Sequence, residues 1–305
     1  MDSQIEAQPT DHTPRSTLHV WWLATRPKTL WAALIPVGLG AAMAWDDGVF
    51  HAPALLAALV GALFIQIGTN FVNDLSDFVK GADTETRKGP MRVTQAGLVT
   101  LPQIRVGIIV AFSISVLAGV YLIWRGGWPV VWIGVASIVS GTLYTAGPKP
   151  LGYLGLGDLF VLVFFGPVAV GGTYYVQALT VTPEVLIAGL GPGLLSVALL
   201  VVNNLRDVDE DRLVGKRTLA VRFGRTFVRW EYALSVALAA LLPAGLYLAS
   251  GERPWTLLVL ATLALGWPLI RRVFQTDGAA LNPLLGQTGR LGLIYALVLG
   301  VTWVL

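Results

Sequence analysis

The chain has 305 residues, of which 55% are hydrophobic and 13% charged, and a mean hydropathy of +0.68, whereas a soluble domain carries about 25% charged residues. This excludes a soluble globular protein, and apolar runs of membrane-crossing length from Thr29 to Leu305 leave no room for a second, water-soluble domain. The absence of cysteine excludes disulfides, thiolate metal sites and a thiol nucleophile, and with a net charge of only +3 no nucleic-acid partner is expected.

Residues 1–17 are polar, with Pro9, Pro14 and several Ser and Thr, and lack the basic start and apolar middle of a signal peptide. They predict a disordered cytoplasmic tail, followed by a single transmembrane domain over 18–305. Trp21, Trp22, Arg26, Pro27 and Lys28 suit a segment at headgroup level, where aromatic rings and basic side chains collect. Nine apolar runs follow, over 29–45, 53–73, 104–124, 128–146, 157–178, 183–203, 228–248, 255–272 and 286–305. Each is read as a helix crossing a hydrocarbon core of about 30 Å. The expected fold class is all-α, a polytopic bundle of nine transmembrane helices. If the N-terminus is cytoplasmic, all of the 21 Lys and Arg except Arg125 and Arg253 fall on that side, the asymmetry a correct topology should show. The chain is thus read as integral to the plasma (inner) membrane, with its N-terminus and polar loops cytoplasmic and its C-terminus opposite.

Two acidic stretches stand at the cytoplasmic ends of these runs. Asn70 to Asp83 reads NFVNDLSDFVKGAD after the second run, and Asn203 to Asp211 reads NNLRDVDED after the sixth. Carboxylates are costly at the edge of a bilayer and tend to mark ion or substrate sites. Their placement four spans apart suggests a weakly duplicated four-helix unit, with the two stretches facing across a central cavity. Asp74 and Asp77 are three apart and Asp207 and Asp211 four apart, so each pair shares a helical face, and Asn73 and Asn203 add neutral oxygen donors. Hard oxygen ligands without His or Cys suit Mg²⁺, which commonly bridges one or two carboxylates to phosphates.

Lys80, Arg87 and Lys88 follow the first stretch, and Arg206, Arg212, Lys216 and Arg217 surround the second. Such cations can neutralise a departing diphosphate, although helix-end charges that merely set topology have the same appearance. The combination predicts a Mg²⁺-dependent clamp for an allylic diphosphate. An isoprenoid tail stays in lipid, so the cavity should open sideways to the bilayer, with Phe71, Phe78, Phe164, Phe165, Tyr174 and Tyr175 as wall residues. Asp158 suits a helix N-terminus. Asp209 and Glu210 fall off the shared face of Asp207 and Asp211 and are read as solvated, and His12, His19 and His51 as surface groups.

The sequence NDLSD with Asp83 beyond it, and NNLRDVDED followed by GKRTLAVRFG, resemble the two aspartate-rich motifs of the UbiA superfamily of intramembrane prenyltransferases. ATRPKTL at Ala24 to Leu30, YTAGPKPLGYLGLGD at Tyr144 to Asp158 and FFGPVAVGGTYYVQ at Phe164 to Gln177 resemble, more narrowly, the branch that acts on 1,4-dihydroxy-2-naphthoate. Asp83 lies six residues after Asp77 rather than the four of the broader superfamily, a spacing similar to that branch. The resemblance, which runs from about Leu23 to the C-terminus, implies a UbiA-like bundle around a central cavity. It implies Mg²⁺ bound by Asn73, Asp74, Asp77, Asp83, Asn203, Asp207 and Asp211. It further implies Asp77, Asp207, Asp211, Lys149 and Arg206 as catalytic groups, and Arg26, Lys28, Lys80, Tyr144 and Lys216 as contacts to diphosphate or acceptor. The implied reaction joins a prenyl diphosphate to dihydroxynaphthoate with loss of CO₂ and diphosphate, giving demethylmenaquinol. A related enzyme with another aromatic acceptor is the alternative. An ion-coupled transporter fits less well, because transport sites usually lie near the membrane midplane. Neither prenyl chain length nor an oligomeric partner leaves a readable motif.

Overall fold

The computed structural model describes residues 16–81 and 88–305, and among these it is helical with no strand. A short helix α1 (Thr17–Ala24) leads through an elbow at Arg26 into α2 (Pro27–Asp46). There follow α3 (Ala52–Val79), α4 (Leu101–Gly126), α5 (Trp128–Leu143), α6 (Gly157–Phe164), α7 (Pro167–Ala178), α8 (Pro183–Arg206) and α9 (Val208–Leu213). The bundle is completed by α10 (Leu219–Ser250), α11 (Ala261–Gln275) and α12 (Asn282–Val304). Proline in the first turn marks the starts of α2, α3, α4, α5, α7, α8 and α12, where its missing N–H is not needed. Side-chain caps from Thr100, Thr182 and Thr218 begin α4, α8 and α10.

Eight helical segments are long and apolar enough to cross a membrane, and α5 is a shorter apolar helix. The nine expected runs are therefore all helical, with three corrections, one being that the eighth, expected over 255–272, opens as a 3₁₀ helix over Pro254–Leu260 and becomes α-helical only at Ala261. The fourth was expected over 128–146, but α5 ends at Leu143 after 16 residues. The fifth is broken between α6 and α7, because Gly166 leaves helical geometry and Pro167 starts a new helix. Six helices also outrun their apolar cores: α3 continues to Val79, α4 begins at Leu101, α8 continues to Arg206, α10 begins at Leu219, α11 continues to Gln275 and α12 begins at Asn282. The first acidic stretch consequently lies largely on a helix instead of after one. The expected tail over 1–17 falls outside the described residues up to Arg15, and Thr17 already belongs to α1.

The two most extensive helix pairings are α3 with α4 and α8 with α10, at corresponding places four spans apart. Packing of α2 against α12 and α7 closes the ring. The largest core cluster gathers α8, α10 and α12 around Tyr232, Leu205, Leu284 and Leu299. Away from the acidic stretches, Arg253 fastens the bundle's other end: its guanidinium reaches Asp46 at 2.9 Å and Glu184 at 3.0 Å and lies 4.6 Å from the ring centre of Trp303.

Candidate active site

A cavity of about 810 Å³ lies within the ring. One face of α3 forms its spine, with Ala58, Ala62, Ile65, Thr69, Asn73 and Asp77 succeeding one another at helical spacing. Between Ala58 and Asp77 the helix rises about 28 Å, close to the thickness of a bilayer core. The deep end is apolar, floored by Val37, Ala58, Leu122, Val130 and Val176. Val116, Ile123 and Val135 line the cavity while being 53%, 38% and 50% exposed, so it opens sideways beside α4 and α5.

At the polar end the two acidic stretches meet. Lys216 Nζ lies 3.4 Å from Asp77 Oδ1, on the last turn of α3, and 3.6 Å from Asp211 Oδ1, on α9. Arg92 donates to Asp77 Oδ2 at 3.1 Å from the loop before α4. Arg206 Nε and Nη2 grip both oxygens of Asp207 at 2.6 and 2.7 Å, and its Nη1 donates to Asn282 Oδ1 at 3.0 Å. Asn73 Oδ1 accepts from Thr145 Oγ1 at 2.6 Å, which hitches the loop after α5 to α3. Tyr144 lines the same end. Its hydroxyl sits against Gly157, where a Cβ would stand 2.9 Å from it. Burial, with Asp158, Asp211 and Asp77 nearby, holds that phenol protonated well above the usual tyrosine range.

Of the residues named from sequence, Arg26, Lys28, Asn73, Asp77, Tyr144, Asn203, Arg206, Asp207, Asp211 and Lys216 all line this cavity. Asp83 lies outside the described residues. Three others stand off the lining. Asp74 is buried toward Thr94 and Arg26, because the cavity takes the Asn70, Asn73 and Asp77 face of α3 and Asp74 is turned about 100° from Asn73. Lys80 donates to the Thr145 carbonyl at 2.6 Å and the Gly147 carbonyl at 3.4 Å, and burial lowers its pKa. Lys149 is exposed on the same loop.

Among the expected wall residues, Phe164 and Phe165 line the cavity. Phe71 instead packs on Trp21, Phe78 is partly exposed, Tyr174 bonds Asp47, and Tyr175 donates to the Gly126 carbonyl at 2.8 Å. Glu210, read as solvated, also lines the cavity and accepts from the Lys88 backbone N–H at 3.2 Å. Asp209 is exposed and paired with Arg225 at 2.8 Å. His51 caps α3 by accepting from the Ala54 N–H. Sequence reading missed Arg92 and Tyr153, since a loop and a single 3₁₀ turn carry no periodicity that would aim them. It also missed Gln66 and Asn204, polar positions within long apolar runs.

The donor set is entirely oxygen. Asp77 Oδ1 is buried without a hydrogen bond, facing the Lys216 ammonium, and Asp211 lies on that ammonium's other side. Among the described residues no three acidic or His side chains group tightly enough to hold a metal alone. Two carboxylates with neutral oxygens nearby nevertheless fit Mg²⁺, which takes its remaining ligands from water and substrate phosphate.

Residues 33–303 match the UbiA prenyltransferase family. The chain is 40% identical over 281 residues to a 1,4-dihydroxy-2-naphthoate octaprenyltransferase of Mycobacterium tuberculosis, covering 91% of this chain and 94% of the relative. It is 36% identical over 287 residues to the enzyme of the same name from Haemophilus influenzae, covering 91% and 93%. A UbiA homolog from Archaeoglobus fulgidus, solved bound to GPP and Mg²⁺, shares the fold with a TM-score of 0.67 at 15% identity, over 93% of this chain and 99% of that one. A UbiA homolog from Aeropyrum pernix aligns with a TM-score of 0.64 at 13% identity, covering 88% and 96%. With its membrane-length apolar helices and a family match over residues 33–303, the chain is an integral membrane protein of the UbiA prenyltransferase family.

Proposed function

We propose that the protein transfers a polyprenyl group from an allylic diphosphate to 1,4-dihydroxy-2-naphthoate, with loss of CO₂ and diphosphate, giving demethylmenaquinol. The observation that carries this reading is the meeting of Asp77 and Asp211 on one ammonium at the polar end of an apolar, lipid-open cavity. That arrangement suits a molecule with a diphosphate head and a hydrocarbon tail. The choice of acceptor rests on the similarity to the naphthoate enzymes.

Asp77, Asp207 and Asp211, with Asn73 and Asn203, are the residues that would hold Mg²⁺. Bound there, the ion would join carboxylates to phosphate oxygens and offset negative charge on the leaving group. Lys216 and Arg92 are placed to follow the diphosphate as its C–O bond breaks, since both already face the carboxylate it would lie against. Phe160, Phe164 and Phe165 form an apolar wall that excludes water from an allylic cation. The acceptor ring attacks that cation, and loss of its carboxylate as CO₂ restores aromaticity with no net proton to remove. The site end is assigned to the cytoplasm and the C-terminus to the opposite side, supported by the Lys and Arg distribution.

The test is incubation of purified protein with Mg²⁺, dihydroxynaphthoate and prenyl diphosphates of several lengths, with mass analysis of the lipid product. Prenylated, decarboxylated naphthoquinol is the expected product, and Asp77→Ala and Asp207→Ala should each abolish it while the protein stays folded in the membrane. Turnover of 4-hydroxybenzoate but not of the naphthoate would overturn the acceptor, and absence of diphosphate release with every acceptor would overturn the reading altogether.

A further inference from the structure

Midway along the cavity, one side-chain amide on the α3 spine is underused. Descending from Asp77, the lining positions are polar through Asn73, Asn70 and Thr69 to Gln66, and then turn to Ile65, Ala62 and Ala58. Gln66 is thus the last polar group on the α3 spine before its hydrocarbon half. Asn70, one turn above, is committed to the protein: its side-chain amide donates to the Thr25 carbonyl at 2.9 Å and to Thr29 Oγ1 at 3.1 Å, and its backbone carbonyl accepts from Arg26 at 3.3 Å. Ser137 and Ser196, on other walls, spend their hydroxyls on carbonyls of their own helices at 2.7 and 2.9 Å.

Gln66 has among the described residues a single long hydrogen bond, 3.4 Å to Asn70 Oδ1. Whichever way the amide is turned, it retains hydrogen-bonding capacity on the cavity side. An amide only partly satisfied within a spanning helix, and facing a cavity, marks a place where a polar group can bind.

The substrates narrow what that is. Gln66 precedes Asp77 by eleven positions, about 16 Å of helix rise, too far for a diphosphate held at Asp77 to reach. A prenyl chain has no polar atom to offer. The remaining polar groups are those of the aromatic acceptor; its carboxylate suits the Arg26 guanidinium better than a neutral amide, which leaves a ring hydroxyl, a group that both donates and accepts as an amide does. We propose that Gln66 binds the ring hydroxyl of the acceptor remote from its carboxylate, the 4-hydroxyl of dihydroxynaphthoate, while the carboxylate turns toward Arg26. Arg26 lies beside the same Asn70 and lines the same cavity. This inference rests on the naphthoate reading above and adds to it the residue that orients the ring.

The experiment compares wild type and Gln66→Leu in the Mg²⁺-dependent reaction, with 4-hydroxy-2-naphthoate and 1-hydroxy-2-naphthoate as competitive inhibitors against dihydroxynaphthoate. Loss of one buried hydrogen bond predicts a rise of about tenfold in the KM for dihydroxynaphthoate and in the inhibition constant of the 4-hydroxy compound. The KM for prenyl diphosphate and the inhibition constant of the 1-hydroxy compound should stay within about twofold, which also reports an intact fold. Equal weakening of both inhibitors, weakening of the 1-hydroxy compound alone, or no weakening of either would overturn the role of Gln66. Failure of wild type to turn over dihydroxynaphthoate would instead strike the naphthoate reading itself.

Discussion

Lys216 and Asp211 respond to their shared surroundings in different ways. Burial pushes Asp211 up to about 6, and Asp207 and Asp77 add to the rise while Lys216 opposes it. Burial pulls Lys216 down, but Asp77 and Asp211 together outweigh that and raise it. The ammonium faces two carboxylates, whereas Asp211 faces one ammonium and two like charges. A carboxyl whose pKa is raised above its ordinary value of about 3.9 keeps its proton at mildly acidic pH and is a ligand only above that pH. The kcat/KM for the prenyl diphosphate should therefore fall about tenfold per unit as the pH drops below about 6 at fixed free Mg²⁺. A profile level down to pH 5 would contradict this assignment. The sequence already offered Asp77, Asp207, Asp211 and Lys216 as a group, because carboxylates in apolar chains are so rarely incidental. It did not separate Asp74 from Asp77, since a spacing of three permits a shared face and only the packing of the loop carrying Thr94 decides which carboxylate the cavity receives.

The helices themselves were legible as apolar runs, while their breaks and extensions were not. A run such as Asp158 to Tyr175 stays apolar straight across the Gly166 break, and the Gly-Pro pair at 166 and 167 was the local mark of it. Conversely, α3 carries Asn73 and Asp77 without leaving the helix, because these side chains meet a polar cavity end and its loops in place of lipid. At Gly224 in α10, φ of 85° produces a kink that favours glycine, and the residues before it fold back under the site from a Thr218 cap. The first residue of α6 supports a test. With a Cβ at Gly157 only 2.9 Å from the Tyr144 hydroxyl and 3.3 Å from its ring, Gly157→Val should push Tyr144 out of the lining. Turnover should drop by about a hundredfold, the effect of misplacing a site group by about an ångström, with helical circular dichroism unchanged. Normal turnover would show that Tyr144 is not needed where it stands.

Across the molecule, the site depends on joining two halves that each carry one acidic stretch. The loop before α4 spans them. Val93 and Val99 anchor it over α1 and α3, Arg92 reaches Asp77, and the Lys88 carbonyl accepts from Asn282 at 2.9 Å while the Lys88 N–H meets Glu210. None of these links was readable from the chain, because each joins residues that are remote in sequence and have no shared period. The 16-residue α5, beside the sideways opening, has a further effect on the surrounding lipid. It extends only about 24 Å, so acyl chains against it must compress and draw the headgroup layer inward at the place where a long isoprenoid enters or leaves. Host-bilayer thickness thereby becomes a control on the enzyme: vesicles of short-chain phosphatidylcholine should give faster turnover than long-chain ones at equal protein orientation, and equal rates would show that this local pinch does not govern exchange of the greasy substrate.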